Sequence, residues 1–281
     1  MTAVDIVIRD INGQAEMRAV ENLQKEVWGL PDLDVVPLTQ MAAAKASGGV
    51  VIGAFDGNRL AGFAYGFAGY EDGCVAHHSH MLAVRPNYRS HNVGYMLKLA
   101  QRERVLDQGV ERMTWTFDPL QSVNAYFNFN KLGVVSDRYF VNFYGEEAAS
   151  FLHQNGTDRL WVTWLLTSRH VDERLKGALP SFDTMNVRHL VEVGADRAPL
   201  RRALNEGSSV EQAVIEIPAD ISDVEQKSSE IASQWRDATR GAFTAAFAAG
   251  YLVESFHRGD RGDQKVGRYV LKQQKTIDDI E

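Results

Sequence analysis

Three histidines, His77, His78 and His80, crowd into a stretch that otherwise reads as a β-strand from Val75 to Val84, closed by Pro86. Strand alternation puts His78, His80, Leu82 and Val84 on one face and His77 with Ser79 on the other. An imidazole, with an unperturbed pKa of about 6.5, suits a position that must accept a proton near neutrality. The plainer readings are polar side chains on a half-exposed strand or a fortuitous metal site. No neighbouring carboxylate supports the second, so no metal is assigned. Directly afterwards, Leu82-Ala-Val-Arg-Pro-Asn-Tyr-Arg-Ser-His-Asn-Val-Gly-Tyr95 runs from the strand into a helical pattern. Such a turn aims several backbone N–H groups at one point and adds the positive end of the helix dipole, which is what a pyrophosphate needs. Arg89 brings a formal charge beside it. A simple strand-to-helix connection explains the same residues without a ligand.

The elements that must hold these groups follow from periodicity. Asp5 to Ile11 reads as a first strand. Met17, Val20, Leu23 and Val27 mark an amphipathic helix over 14–28, ended by Gly29 and Pro31. A short helix is expected over 39–46. Apolar runs at Gly49–Phe55 and Leu60–Phe67 flank Asp56-Gly57-Asn58, a hairpin signal. After the phosphate turn, Val93, Met96, Leu97 and Ala100 share a helix face, and Gly109 supplies a left-handed stop. Met113 to Phe117 is a strand broken by Asp118-Pro119. Ala125, Phe129 and Leu132 mark a helix ended by Gly133, and Tyr139 to Tyr144 is an aromatic strand. An antiparallel front feeding a β-α-β-α core predicts an α/β (α+β) fold, a mixed, twisted sheet flanked by helices.

The polar stretch Gly145 to Asp158 marks a boundary, with a first domain over 1–147 and an α+β domain over 155–281. In the second, Leu160–Leu166 and Val214–Ile217 read as strands. A helix over Val224–Ala249, then Gly250 and strands at Leu252–Phe256 and Arg268–Lys272, complete it. Residues 167–212 resist assignment. The strand-helix-glycine-strand-strand order repeats that of Met113–Tyr144. The extension is therefore either a degenerate half-repeat or a common supersecondary piece.

With 281 residues, 44% hydrophobic and 24% charged, the chain has room for one large domain or two modest ones. Asp5, Arg9 and Asp10 interrupt any signal-peptide core. The longest nearly apolar run, Ala242 to Val253, falls short of the roughly 20 residues of a membrane helix, so no membrane partner is expected. The single Cys74 cannot form an internal disulfide, which fits a cytoplasmic protein. A net charge of −7 argues against a nucleic-acid partner. It leaves an anionic small ligand open, because backbone amides can hold phosphates.

Arg89-x-x-Asn92-x-Gly94, after a strand ending Ala83-Val84-x-Pro86, resembles the acyl-CoA motif of the GNAT superfamily of N-acyltransferases. Asn92 and Ser90 stand where that family commonly has glycine, and asparagine tolerates a left-handed backbone better than most residues. Asn124-Ala-Tyr-Phe-Asn-Phe-Asn-Lys-Leu-Gly133 is similar to the family's later helix beside pantetheine. There Phe129 stands at the place of a tyrosine that protonates the departing thiolate. His78-Ser-His-Met-Leu-Ala-Val84, Trp115-Thr-Phe-Asp-Pro-Leu120, Thr157-Asp-Arg159, Trp235-Arg-x-x-Thr-Arg240 and Gly250-Tyr251 resemble one subgroup. It is a group of predicted acyltransferases associated with N-acylamino acid racemases, some of which succinylate amino acids.

The resemblance implies a GNAT-type fold with acetyl-CoA or succinyl-CoA as co-substrate and a small-molecule amine as acceptor. A homodimer is left open. It implies cofactor contacts at Leu82, Ala83, Val84, Arg89, Ser90, Asn92, Val93, Gly94 and Tyr95, and on the later helix at Asn124, Phe127 and Lys131. Counting eleven residues back from Arg89, as for the family's carboxylate base, reaches His78. His78 and His80 are therefore the candidate base or substrate ligand. Asp118 either orients a histidine, binds the amine, or simply makes its Asp-Pro turn. Arg159 either holds a carboxylate or forms a surface salt bridge. A second reading keeps the fold and drops the chemistry: a non-catalytic ligand-binding or assembly module whose CoA site has decayed.

Overall fold

The computed structural model describes residues 5–145, 155–180, 187–194, 196–204, 211–273 and 276–280. Two compact units emerge, residues 5–115 and residues 116–145 with 155–280, divided inside the fifth strand. Most of the polar stretch expected as a boundary, 146–154, lies outside the described residues.

In the first unit, strands β1 (Ile6–Asp10), β2 (Val50–Asp56), β3 (Arg59–Glu71) and β4 (Cys74–Val84) form an antiparallel meander, and β5 (Arg112–Phe117) joins β4 in parallel. Helices α1 (Gly13–Trp28) and α2 (Leu38–Ala46) cover one face. Met17, Val20, Leu23, Met41 and Ala44 interlock there with Val51, Phe55, Phe63, Tyr65 and Ala83. The stop at Gly29 is as expected: its φ is 65° and its N–H returns to the Lys25 carbonyl. Helix α3 (Val93–Asp107) packs on the other face, where Leu97 lies under Gly62 of β3. The hairpin reading of Asp56-Gly57-Asn58 holds. A second hairpin turn at Asp72-Gly73, both with positive φ, extends β3 past the expected Phe67.

In the second unit, α4 (Ser122–Tyr126) continues as one π-helical turn, Phe127–Leu132, ended by Gly133 at φ 74°. Strand β6 (Val135–Phe140) begins straight after that stop, not at Tyr139 as expected. Residues 141–144, expected to continue the strand, form a turn, in which Phe143 N–H donates to the Thr157 carbonyl. Next come β7 (Arg159–Leu165), α5 (Arg169–Leu175), β8 (Arg188–Val193), β9 (Pro199–Arg201) and β10 (Gln212–Pro218). One helix expected over 224–249 is two, α6 (Ile221–Lys227) and α7 (Ser229–Ala248). Ser228 is extended between them, and its hydroxyl accepts the Ile231 N–H to restart the helix. Strands β11 (Tyr251–Arg261) and β12 (Gln264–Gln273) close the sheet, in the order β7-β6-β11-β12-β10-β8-β9.

Within that order β7-β6 and β11-β12 are arranged alike on the two sides of the β6–β11 junction. Helix α4, Gly133, β6 and β7 are matched by α7, Gly250, β11 and β12, and the two halves join where Val253 pairs antiparallel with Ser136. Both glycines take positive φ. The element order read from sequence, helix, glycine, strand and strand, is thus present twice in the second unit.

Candidate active site

The histidine strand is not regular. Where β3 advances two residues, from Tyr65 to Phe67, its partner β4 moves three, from Met81 to His78. This β-bulge corrects the alternation expected from sequence. His80 lies edge-on to Tyr65 at 6.0 Å, and Phe67 sits 5.5 Å from His78 and 5.8 Å from His80. Both histidines therefore share the α1/α2 face with Met81 and Ala83. Leu82 and Val84 have swapped sides and pack toward Gly94 of α3. One extra residue re-aims every side chain beyond it, as bulges beside functional sites do.

His78 is held by a residue that sequence reasoning missed. Thr114, buried on β5 directly opposite it, brings its hydroxyl to 3.0 Å from His78 Nδ1 and so fixes the ring plane. A threonine within an apolar strand carries no local signal of this role. Burial, then the neighbouring His80, then Lys98, take the His78 imidazole down to about 4. Burial also lowers His80. At neutral pH both rings are uncharged, and a neutral imidazole can accept a proton from an amine. Among the described residues the β4–β5 ladder comprises His77–Met113 and His78–Thr114 and goes no further. The backbone from Ser79 to Val84 thus has no strand partner on that edge, a place where an extended amide-bearing ligand can add itself.

At the end of β4 a 3₁₀ turn, Pro86–His91, leads to Asn92 and then α3. Asn92 has φ 56° and ψ 17°, the left-handed conformation for which glycine is usually chosen. The first bond of α3 runs from Met96 N–H to the Asn92 carbonyl, and no side chain caps the helix. The N–H groups of Val93, Gly94 and Tyr95 therefore precede any intrahelical acceptor, at the positive end of a 15-residue helix. This arrangement fits a pyrophosphate. Arg89 is exposed beside it, anchored through Nε to the Val84 carbonyl at 3.2 Å. Ser90 lies on the same turn. Gly94 has ordinary clearance, with Leu82 3.6 Å from where a Cβ would stand.

The first unit thus brings together His78, His80, Leu82, Ala83, Val84, Arg89, Ser90, Asn92, Val93, Gly94 and Tyr95. The other five candidates belong to the second unit. Asn124 and Lys131 are exposed and Phe127 half-buried along the α4 and π-turn segment. π-Turns recur at functional sites. Phe129, where a tyrosine was expected, is fully buried against Tyr269 and has no proton to give.

Asp118 has another partner than a histidine or a substrate amine. It accepts both Arg236 guanidinium nitrogens, at 2.8 and 2.9 Å, and the Leu120 N–H. Four residues along α7, Arg240 makes the same two-pronged contact with Asp158, which also accepts from Tyr139 Oη. Arg159 stacks over Tyr144 at 5.0 Å, and burial lowers its pKa. The i, i+4 spacing of Arg236 and Arg240 was the available signal for both pairs. Among the described residues no cluster of three or more His, Cys, Asp or Glu could hold a metal ion, and no helix is long and apolar enough to cross a membrane.

Residues 15–133 match the family model described as "Acetyltransferase (GNAT) family". No curated protein matches the chain. Solved structures similar to it include the ribosomal-protein-S18-alanine N-acetyltransferase from Escherichia coli. The two are 13% identical, with 58% of this chain and 94% of that one covered, at a TM-score of 0.46. Aminoglycoside 6'-acetyltransferase type Ii is 19% identical over 59% and 99% of the two chains, with a TM-score of 0.46. A GNAT family acetyltransferase from Elizabethkingia anophelis with acetyl-CoA bound is 14% identical over 57% and 97%, with a TM-score of 0.45.

Proposed function

We propose that residues 15–133, which match the acetyltransferase (GNAT) family model, form an acyltransferase domain, and that the chain transfers an acyl group from acyl-CoA to the amino group of a small metabolite, an amino acid in the first instance. The observation that carries this reading is the row of uncapped N–H groups after left-handed Asn92, beside Arg89. The amine nitrogen attacks the thioester carbonyl, the C–S bond breaks, and the electron pair leaves on sulfur. The attacking nitrogen, positively charged once its bond to carbon forms, is far more acidic than the free amine. A weakly basic neutral His78 therefore suffices to take its proton. No tyrosine is required for sulfur, because a thiol with a pKa of about 8.5 leaves acceptably near neutrality.

The acceptor class rests on the second unit. Three of the segments that resemble the amino-acid-acylating subgroup are joined there by two ion pairs, Asp118 with Arg236 and Asp158 with Arg240. Arg159, beside them, has the fork geometry for an amino-acid or succinyl carboxylate.

Acetyl-CoA or succinyl-CoA at 100 times its Kd should stabilise the protein by about 2.7 kcal/mol in a melting experiment. Asn92→Gly should keep the shift. Asn92→Val, which forces a β-branched residue into the left-handed region at a cost of about 1–2 kcal/mol, should abolish it. No shift with CoA, acetyl-CoA or succinyl-CoA would overturn the reading.

A further inference from the structure

Behind the histidine strand lies a buried polar chain that the reaction above does not use. Lys98 of α3 is 4% exposed, and among the described residues no carboxylate pairs with it. Its ammonium donates to Ser79 Oγ at 2.8 Å and sits 3.5 Å from the centre of the Trp115 ring. Since an amide oxygen can only accept, the single Ser79 proton goes to Gln101 Oε1, 2.8 Å away. Gln101 is then left with its Nε2 to donate to His77 Nε2 at 3.2 Å. That direction fixes His77 as the Nδ1–H tautomer, and His77 Nδ1 has no hydrogen-bond partner. Gly66, at the bulge, leaves the room: a Cβ there would collide with His77 Nε2. An orphaned donor and an unpaired cation are costly to bury, so a chain of this kind calls for a role.

Resting on the acyl-transfer reading, we propose that Lys98 is a positioning residue for His78, clamping α3 to β4 from the reverse face of the strand and setting the charge state of the ring on the front face. Ser79, its partner, stands between His78 and His80 in the chain. Helix α3 begins at the phosphate turn, so one contact ties the cofactor end of the site to the histidine strand. The titratable groups acting on His78 are His80 on its own strand and Lys98 on α3, and both favour the uncharged ring. Thr114 of β5 and Phe67 of β3, packed against it, carry no charge. Burial draws Lys98 itself well below the usual lysine range, while the indole face and Ser79 Oγ favour its charged form.

The test is an NMR titration of the His78 ring, without substrate, in wild type, Lys98→Met and Lys98→Arg. Lys98→Met should raise the His78 midpoint by about half a pH unit, and Lys98→Arg should restore the wild-type value. Lys98→Gln, which can still hydrogen-bond Ser79, stands in if the methionine variant does not fold. An unchanged midpoint in the neutral variant overturns the proposal. The titration involves no turnover. Failure of acyl transfer itself would appear separately, as unchanged activity in a His78 variant or as no stabilisation by acetyl-CoA.

Discussion

Replacing His78 by alanine should slow acyl transfer by about one hundred- to ten-thousandfold while leaving stabilisation by acetyl-CoA intact, the range expected when one proton-transfer group is removed. The separation of effects follows from the positions of the groups. The N–H groups proposed for the pyrophosphate are backbone atoms of Val93 to Tyr95, on the far side of the 3₁₀ turn from His78. The pH profile gives a second reading. Because burial and His80 hold His78 near 4, the acid limb of kcat/KM should fall toward that value and not at the free-histidine value of about 6.5. The sign is that of a base: activity is present above the lowered pKa and lost as pH falls through it. Turnover unchanged in the alanine variant would remove His78 from the mechanism.

Arg236→Met should destabilise the protein by about 3–5 kcal/mol, the cost of leaving a buried carboxylate without its counter-charge. Asp118 is 8% exposed and Arg236 4%, so water cannot replace the lost partner. Combining Arg236→Met with Asp118→Asn should cost less than Arg236→Met alone, because the uncompensated charge has gone. Denaturant midpoints of the two single variants and the double form the cycle that measures this coupling. Equal loss in Arg236→Met and in the double variant would mean that packing, not the ion pair, sets the cost.

The parts of this molecule that were legible in its sequence are those whose causes are local. Gly29 and Gly133 stop their helices because a left-handed residue is needed at those points, and the run from Arg89 to Tyr95 declares a strand-to-helix turn by composition. The bulge in β4 has no such local cause. Its extra residue exists only relative to β3, so alternation counted along one strand put Leu82 and Val84 on the wrong side. Asp118 shows the same limit at longer range, since its partner Arg236 is 118 residues away. The opacity of 167–212 has a third cause. Its described elements, α5, β8 and β9, hold seven, six and three residues, too few for a period to declare itself.

The pairing of Val253 with Ser136 carries a consequence for self-association. A β6 flank left bare would offer a ladder of unpaired amides and carbonyls to any neighbouring polypeptide. The chain has instead set its own β11 against that flank at the Val253–Ser136 pair, much as a second molecule would in a strand-exchanged pair. One end of this unit's strand order then falls to β9, three residues opening with a proline. A rim so short, and lacking one donor, is a poor template for adding foreign strands.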